Sequence, residues 1–385
     1  MSISQNFPSI TPSLLLDFCN TKSIDPRFVF ARSSIGTYVD SEGVVRTAVA
    51  GEGRTTHDLR TKKCLGYLTE TQKTNRCLYS EDFSNPAWVA SNITVTANNG
   101  VAPDENTTAD LLTATANDAT IIQDLGVVAS GAKYGSVFLR RSVGTGNVYL
   151  TLDGGTTWTL VNIDSDWIRV GIPQTVADED FGIKIETSGD AIFAWGGSVE
   201  DATFASSYIP TDSAQVTRSS DSCYLTGANF SSWFNAPGSV LVEFTNYDGT
   251  DYGVSAASAI KALLAFGTGV TNRFEPLICR DDGSRVNLAA AYYRSSTQTL
   301  VLFERSNNSY PVNQESKIAI GMKNNDYAQV LNGSLLTSVS ASDVIGNILR
   351  VGARYDGVPR LNGVIKKIAF YQERLPNEIL ETIAA

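Results

Sequence analysis

The only histidine of this 385-residue chain, His57, lies in GRTTHDLR with no serine or cysteine nucleophile signature beside it. Acyl-transfer chemistry, which needs a positioned imidazole base, is therefore not expected, and no catalytic residue is assigned. Glycoside hydrolysis needs two carboxylates across a cleft, and a strand can offer them on one face at every second position. The stretch VEFTNYDGTD carries Glu243, Asp248 and Asp251 out of that alternation. Carboxylates from separate strands keep a polysaccharide depolymerase as an alternative reading. DGTDYG has the acidic residues and glycine of a calcium loop without the later bidentate glutamate, so it reads first as a hairpin turn, with Asp248 and Asp251 as weak metal candidates. Aromatic rings are the stronger binding candidates, because the apolar face of a sugar packs on an indole or phenol ring. Trp158 follows a Gly-Gly turn and Tyr149 lies on the neighbouring alternating run, while Tyr292, Tyr293, Tyr310 and Tyr355 fall near loops of the C-terminal part. The competing reading for each is filling of a core or its rim. Trp88, Trp167 and Trp195 are assigned to core packing or an inter-domain seam.

Short runs of alternating Val, Ile, Thr, Tyr and Phe must position these rings. Examples are TIIQDLGVV (120–128), YGSVFLRRS (134–142), NVYLTLDGG (147–155), DWIRVGIP (166–173), GSVLVEFTNYDG (238–249) and LNGVIKKIAFYQERL (361–375). Turn residues separate them at intervals of about 8 to 12 residues, which predicts antiparallel β-sandwiches. RDDGS, KNND and LNGS carry the Asn and Gly that tight hairpins require. Only PNEILETIAA, at the end, reads as helix. The expected fold is all-β: an irregular, short-stranded segment over 1–80, a sandwich over 81–213, a polar linker at 214–221 and a second sandwich over 222–385.

The formal charge is −10, which argues against a nucleic-acid partner. Residues 1–80 hold ten Lys and Arg against seven Asp and Glu, leaving twenty against thirty-three in the rest, so the first segment is expected to face a different partner. No apolar run approaches the roughly 20 residues of a membrane span, and the first residues lack the basic and apolar regions of a signal peptide, so neither membrane insertion nor ordinary secretion is expected. Cys19, Cys64, Cys77, Cys223 and Cys279 form no C-x-x-C pair, and with one histidine they match no zinc spacing. They are expected as buried small hydrophobes of a protein made in a reducing cytosol. The alternative is intermolecular cross-linking through Cys19, Cys64 and Cys77.

The order of motifs in the first segment resembles a module near the start of tailed-bacteriophage and prophage virion proteins. Asp25-Pro26-Arg27, Thr37-Tyr38-Val39-Asp40, Gly66-Tyr67-Leu68-Thr69-Glu70 and Tyr79-Ser80-Glu81-Asp82-Phe83 occupy that pattern, with Cys19 and Cys77 where Ala and Leu are usual. The next part resembles the carbohydrate-binding-module-like jelly rolls of the same proteins. It closes on Trp195-Gly196-Gly197-Ser198-Val199-Glu200, Ser207-Tyr208-Ile209-Pro210-Thr211 and Val216-Thr217-Arg218, departing at Gly197, Ser198 and Asp201. This closing stretch is expected to form a last strand, an exit loop and a hinge. LNGS, LRVGAR and the terminal helix resemble a concanavalin A-like or laminin G-like sandwich. Together these resemblances imply a non-enzymatic virion appendage, such as a head or tail fibre or collar. It would dock through residues 1–80 to other virion proteins and assemble as a trimer or dimer. Its sandwiches would display sites for host-surface glycan; calcium is an expectation of the sandwich families, and no other cofactor is implied. A purely structural decoration protein is the other alternative.

Overall fold

The computed structural model describes residues 11–21, 24–248, 261–269, 272–280, 286–294, 313–339, 346–358 and 361–385. It is all-β apart from two short helices among these residues, and its strands build two sandwiches.

The first sandwich comes from eight strands between Val89 and Glu200. Two of them, Ala119–Val143 and Ile168–Ile185, are far longer than the runs expected from sequence, because pairs of runs are continuous in hydrogen bonding. Register shifts between Asp124 and Gly131 let the long pair bend instead of breaking. Each long strand thus serves both layers. In one layer, Ala119 to Asp124 pair with Asp180 to Ile185, flanked by Val89–Ser91 on one side and by Val148–Thr151 and Thr159–Val161 on the other. In the other, Tyr134 to Leu139 pair with Ile168 to Pro173 and are followed by Ala191–Glu200, Ala109–Ala114 and Ile93–Gly100. Alternation points Leu112, Ile121, Val137, Leu139, Leu150, Phe181, Ile183 and Ile192 between the layers, where they form one core.

The second sandwich holds a correction to the expected domain plan. One of its sheets runs Ser334–Val339, Asp326–Leu331, Glu315–Lys323, Gly238–Asn246 and Gly363–Tyr371, and then continues into Cys64–Thr69 and Thr55–His57. Leu14–Asp17 pairs with the same Gly363–Tyr371 strand, Leu14 opposite Phe370. The facing sheet contains Val286–Arg294, Asn272–Arg280, Leu264–Gly269, Ile348–Val351 and Ser222–Thr226, and ends on Val29–Ala31. Segment 1–80 is therefore not a separate arm. Leu14, Leu16, Phe18, Phe28 and Tyr67 are buried in one core with Val242, Phe244, Ile320, Ile368 and Phe370. The physical reason is area: four- and six-residue strands bury little alone, and pairing with Gly363–Tyr371 hides both their apolar faces and their backbone groups. Gly66 marks how close this pairing is, with φ of 126° and a Cβ position that would lie 2.6 Å from the Ile365 carbonyl oxygen.

Two of the hairpins read from sequence are in place. KNND joins Glu315–Lys323 to Asp326–Leu331 with Asn325 at positive φ, and Asn332-Gly333, both at positive φ, join Asp326–Leu331 to Ser334–Val339; a further hairpin turns Gly36–Val39 into Val45–Ala48. RDDGS falls across residues outside those described. The terminal helix is Asn377–Ile383, and it lays Leu380 and Ala384 against Leu241, Ala319 and Val330 on the outside of the second sandwich.

The expected polar linker is structured as well. Val216–Arg218 pairs with Lys73–Asn75, and at the seam below it Arg32, Arg54, Glu70, Arg218 and Asp221 are all buried together. Arg54 donates to Glu70 (2.8 Å) and to Asp221 (2.6 Å), Arg32 donates to Asp221 (3.0 Å), and Ser207 gives Glu70 its backbone N–H (2.6 Å) and hydroxyl (2.7 Å). Further basic residues of 1–80 pair with acids elsewhere in the chain: Arg46 meets Glu105 and Arg60 meets Asp164 at the surface, and Arg76 meets the buried Glu179.

Candidate functional site: an open aromatic face on the first sandwich

The two layers of the first sandwich differ in what covers them. Phe138, Trp195 and Tyr208, on the outside of the layer containing Ala191–Glu200, are roofed by Val45 of the N-terminal hairpin and by Ala102 and Ala109, with Val39 and Leu59 packed alongside. Trp195 and Tyr208 pack with centroids 4.8 Å apart and planes tilted by 52°, and the Tyr208 hydroxyl sits 2.7 Å from Ser80 Oγ and donates to Glu81 (3.0 Å). The stretch supplies the last strand of the first sandwich in chain order, Ala191–Glu200, which is an inner one in its sheet, and it continues into a packed seam where a hinge was expected.

The opposite layer presents its outer face at the level of Tyr149, Lys184 and Leu160. Register places Tyr149 between Lys184 and Leu160, and Lys184 beside Thr120. Leu160 is 51% exposed there. Tyr149 and Trp158, candidates from sequence, are brought together by Lys184, whose Nζ lies 4.4 Å from the Tyr149 ring centroid and 5.3 Å from that of Trp158. The Trp158 indole lies so close to Gly155 that a Cβ there would come within 2.9 Å of it. The Tyr149 hydroxyl donates to Glu186 Oε1 (3.1 Å), and Asp118 Oδ1 lies 3.4 Å from Lys184 Nζ. Two half-exposed rings, an ammonium and two carboxylates on one open face can take the apolar side of a sugar ring and its hydroxyls together. Sequence reasoning missed Lys184 and Glu186. FGIKIET alternates, so both share the Tyr149 face, and that signal was available.

The other candidates do not converge on this face. Tyr355 lies in the second sandwich with the Arg273 guanidinium carbon 3.5 Å from its ring centroid, and its N–H donates to Glu275 (2.6 Å). Tyr292 and Tyr293 are on the strand Val286–Arg294, opposite Phe274 and Arg273, and their side chains lie outside what is described. Tyr310 and Asp251 lie outside the described residues. Asp248 is buried, with its carboxylate accepting from Asn362 (2.9 Å), and the rest of DGTDYG lies outside the described residues. Among the described residues, carboxylates gather at Asp124, Asp178 and Asp180, where the long strands bend, with ligand oxygens within 4.8 Å of one another. Burial, then the charges of Asp124 on the facing strand and Asp178 on the same one, push the Asp180 carboxyl upward. His57 pairs in register with Cys64, its Nδ1 3.2 Å from the Val39 carbonyl oxygen. Glu243 lies 3.4 Å from Lys367.

The cysteine expectations need correction. Cys19 and Cys64 form a disulfide within the chain, Cα atoms 5.5 Å apart, which ties the turn after Leu14–Asp17 to the neighbouring strand Cys64–Thr69. Cys77 is buried and free, with its thiol pushed up by burial. Two of the three are thus paired within the chain, and the third lies buried. Cys223 is free and buried, as expected.

A seam cavity of about 350 Å³ lies between the N-terminal hairpin and the first sandwich, lined by Leu59, Phe138, Arg169 and Tyr208 among others. Arg169 donates to the Ser206 carbonyl (2.5 Å) and to Ser136 Oγ (3.0 Å), while its buried Nε makes no hydrogen bond.

No family model matches the chain, and neither does any curated protein. Among solved structures it is similar to the CBM40 domain of the Ruminococcus gnavus IT-sialidase bound to α2,3-sialyllactose, with 16% identity, a TM-score of 0.30, and 38% of this chain and 82% of that one covered. It is similar to domain 4 of AbnA, a GH43 extracellular arabinanase from Geobacillus stearothermophilus in complex with arabinotriose, at 15% identity, TM-score 0.34, 47% and 82%. A heptameric SAP-like pentraxin from Limulus polyphemus follows at 13% identity, TM-score 0.30, 38% and 69%. At these values the likeness is one of partial backbone shape and reaches no further.

Proposed function

We propose that this chain is a non-enzymatic glycan-binding component of a tailed-bacteriophage particle, a fibre, collar or other appendage, working as a trimer or dimer against other virion proteins. The binding part of the reading rests on one observation: Tyr149 and Trp158 stand on an uncovered sheet face around Lys184, with Glu186 fixing the Tyr149 hydroxyl. The virion part is supported by the ordered motifs between Asp25 and Phe83. Docking through residues 1–80 needs restating, since removing them also removes strands of the second sandwich; attachment would instead use the outer surface of that segment.

The test is binding of the whole chain to surface polysaccharide from candidate host bacteria, with released reducing ends measured in the same tubes. Saturable binding without release, weakened in Tyr149→Ala and Trp158→Ala while the melting temperature stays put, supports the reading. Stacking on one ring is worth about 1 kcal/mol, so each variant should bind roughly fivefold more weakly. Release of ends would favour the depolymerase, and indifference to every polysaccharide would favour a decoration protein.

A further inference from the structure

The roofed layer of the first sandwich has a second feature at its rim, where the N-terminal hairpin stops covering it. Arg140 stands on the strand Ala119–Val143 directly opposite Phe193. Its guanidinium carbon lies 4.7 Å from the Phe193 ring centroid and 5.1 Å from that of Trp167. Both rings are themselves held. The Trp167 N–H donates to the Val101 carbonyl (3.1 Å), and Phe193 lies against the backbone of Gly100, where a Cβ would come within 2.6 Å of the ring. Val101, which follows Gly100 and accepts from Trp167, is 52% exposed.

Arg140 differs from the arginines around it. Its chain neighbour Arg141 is bonded to Asp190 (3.3 Å) and to the Gly146 carbonyl (2.7 Å). Arg60 holds Asp164 (2.7 Å) and Asp166 (3.5 Å), the acids just before Trp167. Among the described residues, no carboxylate lies within 4.0 Å of Arg140, and its guanidinium donates no hydrogen bond. A guanidinium held by two rings keeps its plane fixed while its N–H edge stays free. That edge is a planar fork matched to a carboxylate, and contact with aromatic rings costs it none of its donors.

We propose that Arg140, Trp167, Phe193 and Val101 form a second saccharide site, specific for a carboxylate-bearing sugar such as a uronic acid. The carboxylate would take the Arg140 fork, and the apolar face of the pyranose would rest on Trp167 and Val101. The site is separate from the Tyr149–Trp158 face and rests on the proposed function for the saccharide class alone.

The experiment titrates the full chain with the trimer of galacturonic acid and with the same trimer methyl-esterified, following Trp fluorescence and calorimetry. The acid form should bind, the ester should bind at least about tenfold more weakly, and Arg140→Gln should reduce acid binding by a similar factor. Arg140→Lys should recover only part of it, Trp167→Ala should weaken both forms, and Trp158→Ala should leave acid binding unchanged. Thermal unfolding of each variant reports whether it folds. Equal binding of acid and ester, no effect of Arg140→Gln in a folded protein, binding of inorganic phosphate as tight as the trimer, or no binding at all would each overturn the proposal. Loss of neutral-polysaccharide binding in Trp158→Ala is read separately, so failure of one site is distinguished from failure of the other.

Discussion

Replacing Glu70 by Gln is the sharpest perturbation of the seam. Its carboxylate accepts two bonds from Ser207 and one from Arg54, with Arg218 Nε 3.6 Å away. Around it, the guanidiniums of Arg32, Arg54 and Arg218 form their ion pairs with Glu70 and Asp221 among the described residues, and all five side chains are buried. Burial alone would raise the Glu70 pKa; the charges of Arg218 and Arg54 and the Ser207 bonds outweigh it and hold the value at about 2 against an ordinary 4.5. A folded-state pKa below the unfolded one means stability that is present above pH 4.5 and is lost as pH falls toward 2, and this shift corresponds to about 3 kcal/mol. Removing one member of a buried ion cluster costs about 3 to 5 kcal/mol by a separate route, which agrees. Equilibrium denaturant unfolding should therefore show Glu70→Gln about 3 kcal/mol less stable at pH 7, with the gap closing between pH 4.5 and 2. A variant within about 1 kcal/mol of the parent at pH 7, or a gap that stays constant on acidification, would refute the reasoning.

Two further outcomes follow from the second sandwich. The Cys19–Cys64 bond, 45 residues apart, should run as a monomer on non-reducing gels, and reduction in denaturant should expose two more thiols; Cys19→Ser should cost about 4 kcal/mol on a chain-entropy estimate. Gly66→Ala places a Cβ 2.6 Å from a backbone oxygen at positive φ, so it should destabilise by about 2 kcal/mol or more and raise amide exchange along Val364 and Ile365, while an unchanged exchange pattern would count against the close pairing.

Much of the β architecture was legible because strands write their burial locally. Phe181, Ile183 and Ile185 are buried around a half-buried Lys184, the alternation visible in FGIKI. On the strand Leu14–Asp17, Leu14 and Leu16 are buried and Leu15 is 55% exposed, although three identical leucines do not display it. The partner of that strand was not legible, since nothing within LLLD distinguishes Gly363–Tyr371 from any other apolar run. The same holds for charge. Arg32, Arg54 and Arg218 announce their sign in the sequence, but only the fold reveals that Glu70 and Asp221 answer them, so a basic excess looked like a surface for strangers. At the candidate face, Tyr149 and Trp158 were found from their types and the turn beside them. Arg140 was passed over because an arginine on an alternating strand looks like any solvated charge until its lack of a partner is seen.

The pairing of the first strand with the last has a consequence for synthesis. Ser13 donates to Phe370 across 357 residues of sequence, so the second sandwich cannot close until nearly the whole chain has left the ribosome. At about 5 to 20 residues per second, Leu14–Asp17 waits roughly 20 to 70 seconds for its partner. The first sandwich, whose strands all lie between Val89 and Glu200, can complete itself during that interval. The nascent chain thus carries a finished domain between two unfinished halves, and the apolar edges of those halves are what a chaperone would meet first.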